Sequence, residues 1–234
     1  MTAEASPRQK AGIAGVLYLV IIVCGAFAEA FVRQRLIVPG DPAATAANIL
    51  GQEQIYRLGF VADLIPLLLN MLLAVIFHDL FKVVNRSVAA LVVCFIVVGT
   101  AIQASALVYH LAAMMLLEGG PALSALPQVQ VQALASFVLR LQTSGYNIAL
   151  TFFGCYGLCL GYLIWHSTFL PRILGVLMTI AGLCYVTNSL LSFIEPSLSS
   201  IILLLPVLLG EGGLTLWLLV VGVDTSKWRT QAAA

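Results

Sequence analysis

Residues 88–117 read VAALVVCFIVVGTAIQASALVYHLAAMMLL, thirty positions without one Asp, Glu, Lys or Arg. A helix of that length rises about 45 Å, more than the roughly 30 Å of hydrocarbon in a bilayer. The run therefore reads as a membrane-crossing helix. Working outward, comparable runs lie at about 12–32, 58–81, 142–165, 172–194 and 199–223. The expected fold class is all-α: a polytopic integral membrane bundle of about six transmembrane helices, forming a single domain over 1–234. Composition agrees, with 61% hydrophobic and only 9% charged residues. A soluble domain has roughly 25% charged residues and could not hide this much apolar surface from water.

The first run follows a polar segment carrying Arg8 and Lys10, as a secretory leader would. Its apolar length of about 20 residues exceeds a signal core, and no small-residue cleavage site precedes Arg33, so a retained span is expected. Basic residues between the runs set the orientation. With the N-terminus inside, that side collects Arg8, Lys10, Lys82, Arg86, Arg172, Lys227 and Arg229, against Arg33, Arg35, Arg57 and Arg140 outside. Seven against four places both termini in the cytoplasm, in keeping with an even number of spans. The eleven cations never form a basic patch, so nucleic acid is set aside as a partner and the lipid bilayer takes its place. The five cysteines all fall in apolar runs, where thiols behave as small hydrophobes.

Two outer connections are longer than turns. Pro39-Gly40-Asp41-Pro42 signals a turn, with Asp41 as N-cap and Pro42 at the first position of a short helix over about 42–53. Between Glu118 and Gln132, Gly119-Gly120-Pro121 and Pro127 act as breakers, and a helix is expected from near Gln128 straight into the fourth span. The inner connections, 82–87 and 166–171, are short and imply antiparallel neighbours.

Four stretches together resemble a known bacterial membrane family. They are Asp41-Pro42-Ala43-Ala44-Thr45-Ala46-Ala47-Asn48-Ile49; Tyr56-Arg57-Leu58-Gly59-Phe60-Val61-Ala62-Asp63-Leu64; Gly161-Tyr162-Leu163 with Pro171-Arg172-Ile173-Leu174-Gly175; and Gly210-Glu211 with Leu216-Trp217-Leu218-Leu219. On these the chain is similar to the family catalogued as domain of unknown function 4386. The resemblance implies six spans and a multi-pass protein of the bacterial cytoplasmic (inner) membrane, and it supplies no catalytic residue. Where that pattern often carries a histidine this chain has Tyr156, so no imidazole is expected there.

Polar groups inside lipid are costly, at least about 2.5–3.5 kcal/mol for a charge at the bilayer centre, and they mark where function would sit. Glu211 is foremost: it lies halfway along the sixth run, between Gly210 and Gly212-Gly213 and after Pro206, a combination expected to interrupt the helix. Asp63 sits about two turns below the outer end of the second span, with Asn70 seven residues on and Arg57 above, placed to reach down to it. Arg140, Ser144, Asn147 and Thr151 form a polar stripe on the fourth helix, expected to face protein or water. Gln103 and His110 come from the third span, Glu29 from the first and Asn188 from the fifth. Glu29, Arg57, Asp63, His110, Arg140, Asn147 and Asn188 fall in the outer half; Asn70, Gln103 and Glu211 fall near the midplane. An outward-facing polar cavity closed at mid-membrane is the expectation, roofed by the two longer connections.

Each residue also has a structural reading. The charges can be buried pairs that fix packing, and the amides, Asn70, Asn147, Gln103 and Asn188, can be interhelical hydrogen bonders. Glu29 can snorkel to the interface. His110 reads first as a packed core histidine, and His78-Asp79 as a solvated pair beside Lys82. Because His78 and His110 sit at opposite depths they cannot sandwich one haem. Cys155 and Cys159 are one turn apart, but no third ligand stands beside them, and Gly154, Gly157 and Gly161 mark that helix for close packing. No metal site and no cofactor is expected. Zinc, nucleophile-elbow, phosphate-loop and dinucleotide signatures are absent, so no catalytic residue is assigned.

Three readings remain open. The first is binding or transport of a small or lipid-like ligand, which helix interruptions at mid-membrane and internal repeats would favour; no second copy of the Pro206–Glu211 pattern is seen in the first half. The second is an intramembrane enzyme with Glu211 or Asp63 as base and Arg140 holding an anion. The third is a scaffold or regulatory subunit whose polar groups only hold helices together.

Overall fold

The computed structural model describes residues 6–233. The first five residues of the polar leader, and Ala234, lie outside them. Among the described residues there are helices and no strand: α1 (Pro7–Leu36), α2 (Pro42–Gly51), α3 (Glu53–Phe81), α4 (Arg86–Glu118), α5 (Gln128–His166), α6 (Arg172–Ile194), α7 (Leu205–Val220) and α8 (Thr225–Ala232). The chain is a multi-pass membrane protein. α1, α3, α4, α5 and α6 are each long and apolar enough to cross a bilayer, and the number is six where α7 and α8, joined through a 103° bend, count as one span.

Local chemistry explains most boundaries. The Asp41 carboxylate accepts from the Ala44 N–H at 2.9 Å, with Pro42 at the first helical position, so α2 starts where the cap signal placed it. α5 starts at Gln128 and runs unbroken to His166. The sixth run differs from its expectation. Pro206 stands in the first turn of α7, where no intrahelical N–H is needed, and the helix continues through Gly210–Gly213 without a break. A 3-10 turn, Ile201–Leu204, leads into it. The 16 residues of α7 rise about 24 Å, and the turn adds about 8 Å, enough together for the hydrocarbon. The irregularity lies instead in α1, whose Ala28–Arg33 segment is a π-helical turn.

Contacts divide the chain into two compact units. One holds the chain up to Ile21, Leu69–Thr100 and everything from Asn147; the other holds Ile22–Leu68 and Ala101–Tyr146. In the first unit, small residues let backbones meet. A Cβ on Gly182 of α6 would lie 2.7 Å from the Gly154 carbonyl oxygen and 2.8 Å from the Leu158 nitrogen of α5. A Cβ on Gly210 of α7 would lie 2.8 Å from the Leu177 carbonyl oxygen of α6. In the second unit, Val32, Leu36, Ile49, Tyr56, Ala113, Met114 and Leu139 form a buried core.

The glycines supply a paired prediction. Gly182→Ala is expected to lower stability by about 1–3 kcal/mol, because backbone atoms cannot move aside for the methyl group. Gly212→Ala, whose Cβ would meet nothing within 4 Å, is expected to be neutral or to stabilise by up to about 1 kcal/mol through helix propensity. Thermal melts of the two purified variants check this; equal melting points would show that the α5–α6 contact does not depend on glycine.

Candidate functional site

In the first unit four helices bring polar groups to one carboxyl. Glu211 sits on α7, one residue after the Gly210 contact that draws α7 against α6. The phenols of Tyr18 (α1), Tyr156 (α5) and Tyr185 (α6) surround it and interact with its carboxyl. Tyr18 and Tyr156 are 2% and 6% exposed, and their hydroxyls also meet each other at 2.5 Å. Phe77 and Phe153 pack edge-on against Tyr18 and Tyr156, which fixes the two rings. Glu211 is half-buried as a residue, while its carboxyl is enclosed by the surrounding helices. One turn further along α7, Thr215 is 1% exposed and its hydroxyl has no hydrogen-bond partner among the described residues. The cluster is thus a carboxyl surrounded by phenols, with an unused hydroxyl on the same helix face.

The second unit has its own charged centre. Asp63 on α3, buried, accepts from Arg33 Nη1 at 2.9 Å, while Arg33 Nε donates to Glu29 at 2.7 Å. The guanidinium lies 5.4 Å from the Tyr146 ring centroid, within cation–π range. The π turn carries both Glu29 and Arg33, and its wider winding sets the faces they present. Gly59, one turn before Asp63, lets Val32 approach: a Cβ there would collide with the Val32 side chain. The partner expected for Asp63 was Arg57, but that side chain, 56% exposed, pairs with Glu53 at 2.7 Å and with Glu118. It is a surface network that solvent screens.

A family model described as Domain of unknown function (DUF4386) matches residues 13–222. The chain belongs to this family. Neither a curated protein nor a solved structure matches it. Both centres, Glu211 with its tyrosines and Arg33 with Asp63, lie within the DUF4386 match, whereas Arg8 and the whole of α8 lie outside it.

The other candidates fall in the two units separately. In the first, Asn188 is buried and its Oδ1 accepts from the Ser199 hydroxyl at 3.2 Å and the Ser200 N–H at 3.1 Å, fastening the turn after α6. The Asn147 carbonyl accepts from the Ser189 hydroxyl, Thr151 bonds Ser189 at 2.7 Å, and Asn70 is half-buried. In the second, His110 is 3% exposed, stacks on Tyr56 at 3.9 Å, and its Nε2 donates to the Tyr56 carbonyl at 3.0 Å while the Tyr56 hydroxyl donates to the His110 carbonyl. That reciprocal pair is a packing device. Gln103 is half-buried. Arg140 and Ser144 are exposed, the Ser144 hydroxyl turning back to the Arg140 carbonyl at 3.0 Å. Asp79 forms ion pairs with Lys10 at 2.7 Å and Lys82 at 2.9 Å. Among the described residues no group of three or more His, Cys, Asp or Glu is placed to hold a metal ion.

Sequence reasoning singled out Glu211 and Asp63 but missed Arg33 and the tyrosines. A signal for the tyrosines existed: membrane tyrosines favour the water interface, so Tyr18, Tyr156 and Tyr185, each well inside an apolar run, needed a partner.

Proposed function

We propose that this DUF4386 protein is a ligand-binding bundle of the bacterial cytoplasmic membrane, of the binding and transport class. Its ligand is a small amphiphile whose cationic or hydrogen-bond-donating group meets Glu211. The observation that carries this is the convergence of three phenols from three other helices on one carboxyl within an apolar bundle. The orphaned Thr215 hydroxyl supplies a further contact for a guest. The Arg33–Asp63 centre supports a structural role for its own unit, because its partners already satisfy each other.

Both termini face the cytoplasm in this reading. Supporting it, Arg8, Lys10, Lys82, Arg86, Arg172, Lys227 and Arg229 all belong to the first unit and Arg33, Arg35, Arg57 and Arg140 all to the second. Charge partition in the sequence therefore follows a partition of the fold.

Melting detergent-purified wild type and Glu211→Gln with hexylamine, hexanol and hexanoate tests the proposal. Hexylamine is expected to raise the wild-type melting point with saturation and to leave Glu211→Gln unmoved, since only ligands that prefer the native state shift it. Equal shifts in both proteins, or none in wild type with any of the three, would sink the binding reading and leave the bundle as a scaffold.

A further inference from the structure

A charged cleft of about 630 Å³ opens in the first unit, away from Glu211. Its walls are the first turn of α1 with Arg8, the 168–171 turn between α5 and α6, and the bend from α7 into α8, with Trp217, Asp224 and Lys227. Each wall is the start or end of a span, so the cleft lies at one end of the helices, the end that carries the seven cations named above. Among the described residues these meet two carboxylates there, Asp79 and Asp224.

The bend is built rather than incidental. Gly222 takes φ +75°, a conformation that side chains disfavour, and the stem of Arg8 lies beside it, 3.3 Å from where a Cβ would be. Trp217 Nε1 donates to the Gly222 carbonyl at 3.1 Å, and Trp228 Nε1 on α8 donates to the Leu80 carbonyl at 2.8 Å. Indoles at helix ends seat at the boundary between hydrocarbon and headgroups. Phe169, Leu170 and Val221 line the apolar side of the same cleft.

Asp224 is already engaged. The Ser226 hydroxyl, then the Lys227 N–H, hold its carboxyl below the ordinary range, so it stays anionic at neutral pH while capping α8. It meets Lys227 Nζ at a loose 3.6 Å. Arg8 makes no ion pair among the described residues. Two cations facing one committed carboxylate leave the cleft positive, with an apolar wall alongside.

We propose that this cleft binds the phosphate of an anionic glycerophospholipid, Arg8 and Lys227 taking the phosphate and the apolar wall the first acyl carbons. Basic pockets at the cytoplasmic ends of membrane helices suit such headgroups. A free phosphate-bearing solute shares the chemistry but lacks the chain.

The test uses the full-length protein in neutral detergent, with dioctanoyl phosphatidylglycerol, dioctanoyl phosphatidylcholine and inorganic phosphate as probes, read by native mass spectrometry. The phosphatidylglycerol is expected to bind the wild type, and Arg8→Gln/Lys227→Gln to weaken it by on the order of tenfold or more. Arg229→Gln, a cation of the same end but outside the cleft, is expected to change it less than twofold. Asp224→Asn, which keeps a good N-cap and removes the opposing charge, is expected to tighten it. Phosphate competing as well as the lipid would assign the site to a soluble phosphate ester. Equal losses in Arg229→Gln, or equal binding of the phosphatidylcholine, would overturn the proposal. Acetylation of Lys227 in the wild type gives a reading that no variant's folding affects: phosphatidylglycerol must protect Lys227 more than Arg8-remote Lys82, and failure to do so also overturns it.

Discussion

Arg33→Met is expected to be among the most destabilising single substitutions in the chain, at about 3 kcal/mol, because it strands the Asp63 carboxylate without its partner. Asp63 is 6% exposed, so water cannot replace the guanidinium. Breaking a buried pair from one side costs about 3–5 kcal/mol, and the partial exposure of Arg33 argues for the lower end. Arg33→Met/Asp63→Leu is expected to recover most of the loss, since it leaves no buried charge unpaired; only Glu29, whose side chain is 39% exposed, loses its ion-pair partner. Thermal or denaturant unfolding of the two single variants and the double variant closes the cycle. A purely additive result would show that Arg33 and Asp63 do not act on each other. Arg57→Met serves as the contrast: its network is exposed, and the melting point should scarcely move.

Glu211→Leu is expected to lower stability by about 2–4 kcal/mol, whereas Glu211→Gln is expected to fold with a loss of about 1 kcal/mol or less. Leucine removes the carboxyl that the phenols surround, which ends its interaction with Tyr185 and leaves the buried Tyr18–Tyr156 pair with one hydroxyl proton unaccepted, at about 1–3 kcal/mol. Glutamine keeps an acceptor oxygen of the same reach. Tyr156→Phe removes one hydroxyl and should cost about 1 kcal/mol. The pair of Glu211 variants separates two properties of one residue, since leucine reports the hydrogen-bonded cluster and glutamine isolates the charge. If leucine melts with the wild type, the phenols do not depend on Glu211 and the cluster loses its physical basis.

The sequence by itself determined the class of the fold and much of its punctuation. Thirty uncharged residues in a row have no stable home in water, so the spans followed from hydropathy and length alone. Asp41 with Pro42, and the breakers ahead of Gln128, placed two helix starts correctly because caps and prolines act within one turn of the chain. Glu211 stood out for the same local reason, a carboxyl at the middle of an apolar run. Pro206 misled because a proline in the first turn of a helix and one in its interior look alike until the start of the helix is known.

Partners were a different matter, and only the tertiary structure decided them. Asp63 has arginines within reach on its own helix and on another, and the π turn in α1 gave the bond to Arg33. Three mid-span tyrosines looked like ordinary apolar bulk until packing of α1, α5, α6 and α7 turned their hydroxyls to one carboxyl. Spacing along a helix fixes which residues share a face; what that face meets depends on close approaches such as Gly182 on Gly154 and Gly210 on Leu177, set by the neighbouring helix. Local chemistry is written within a few residues of itself, whereas a contact between distant helices is settled only when their surfaces fit.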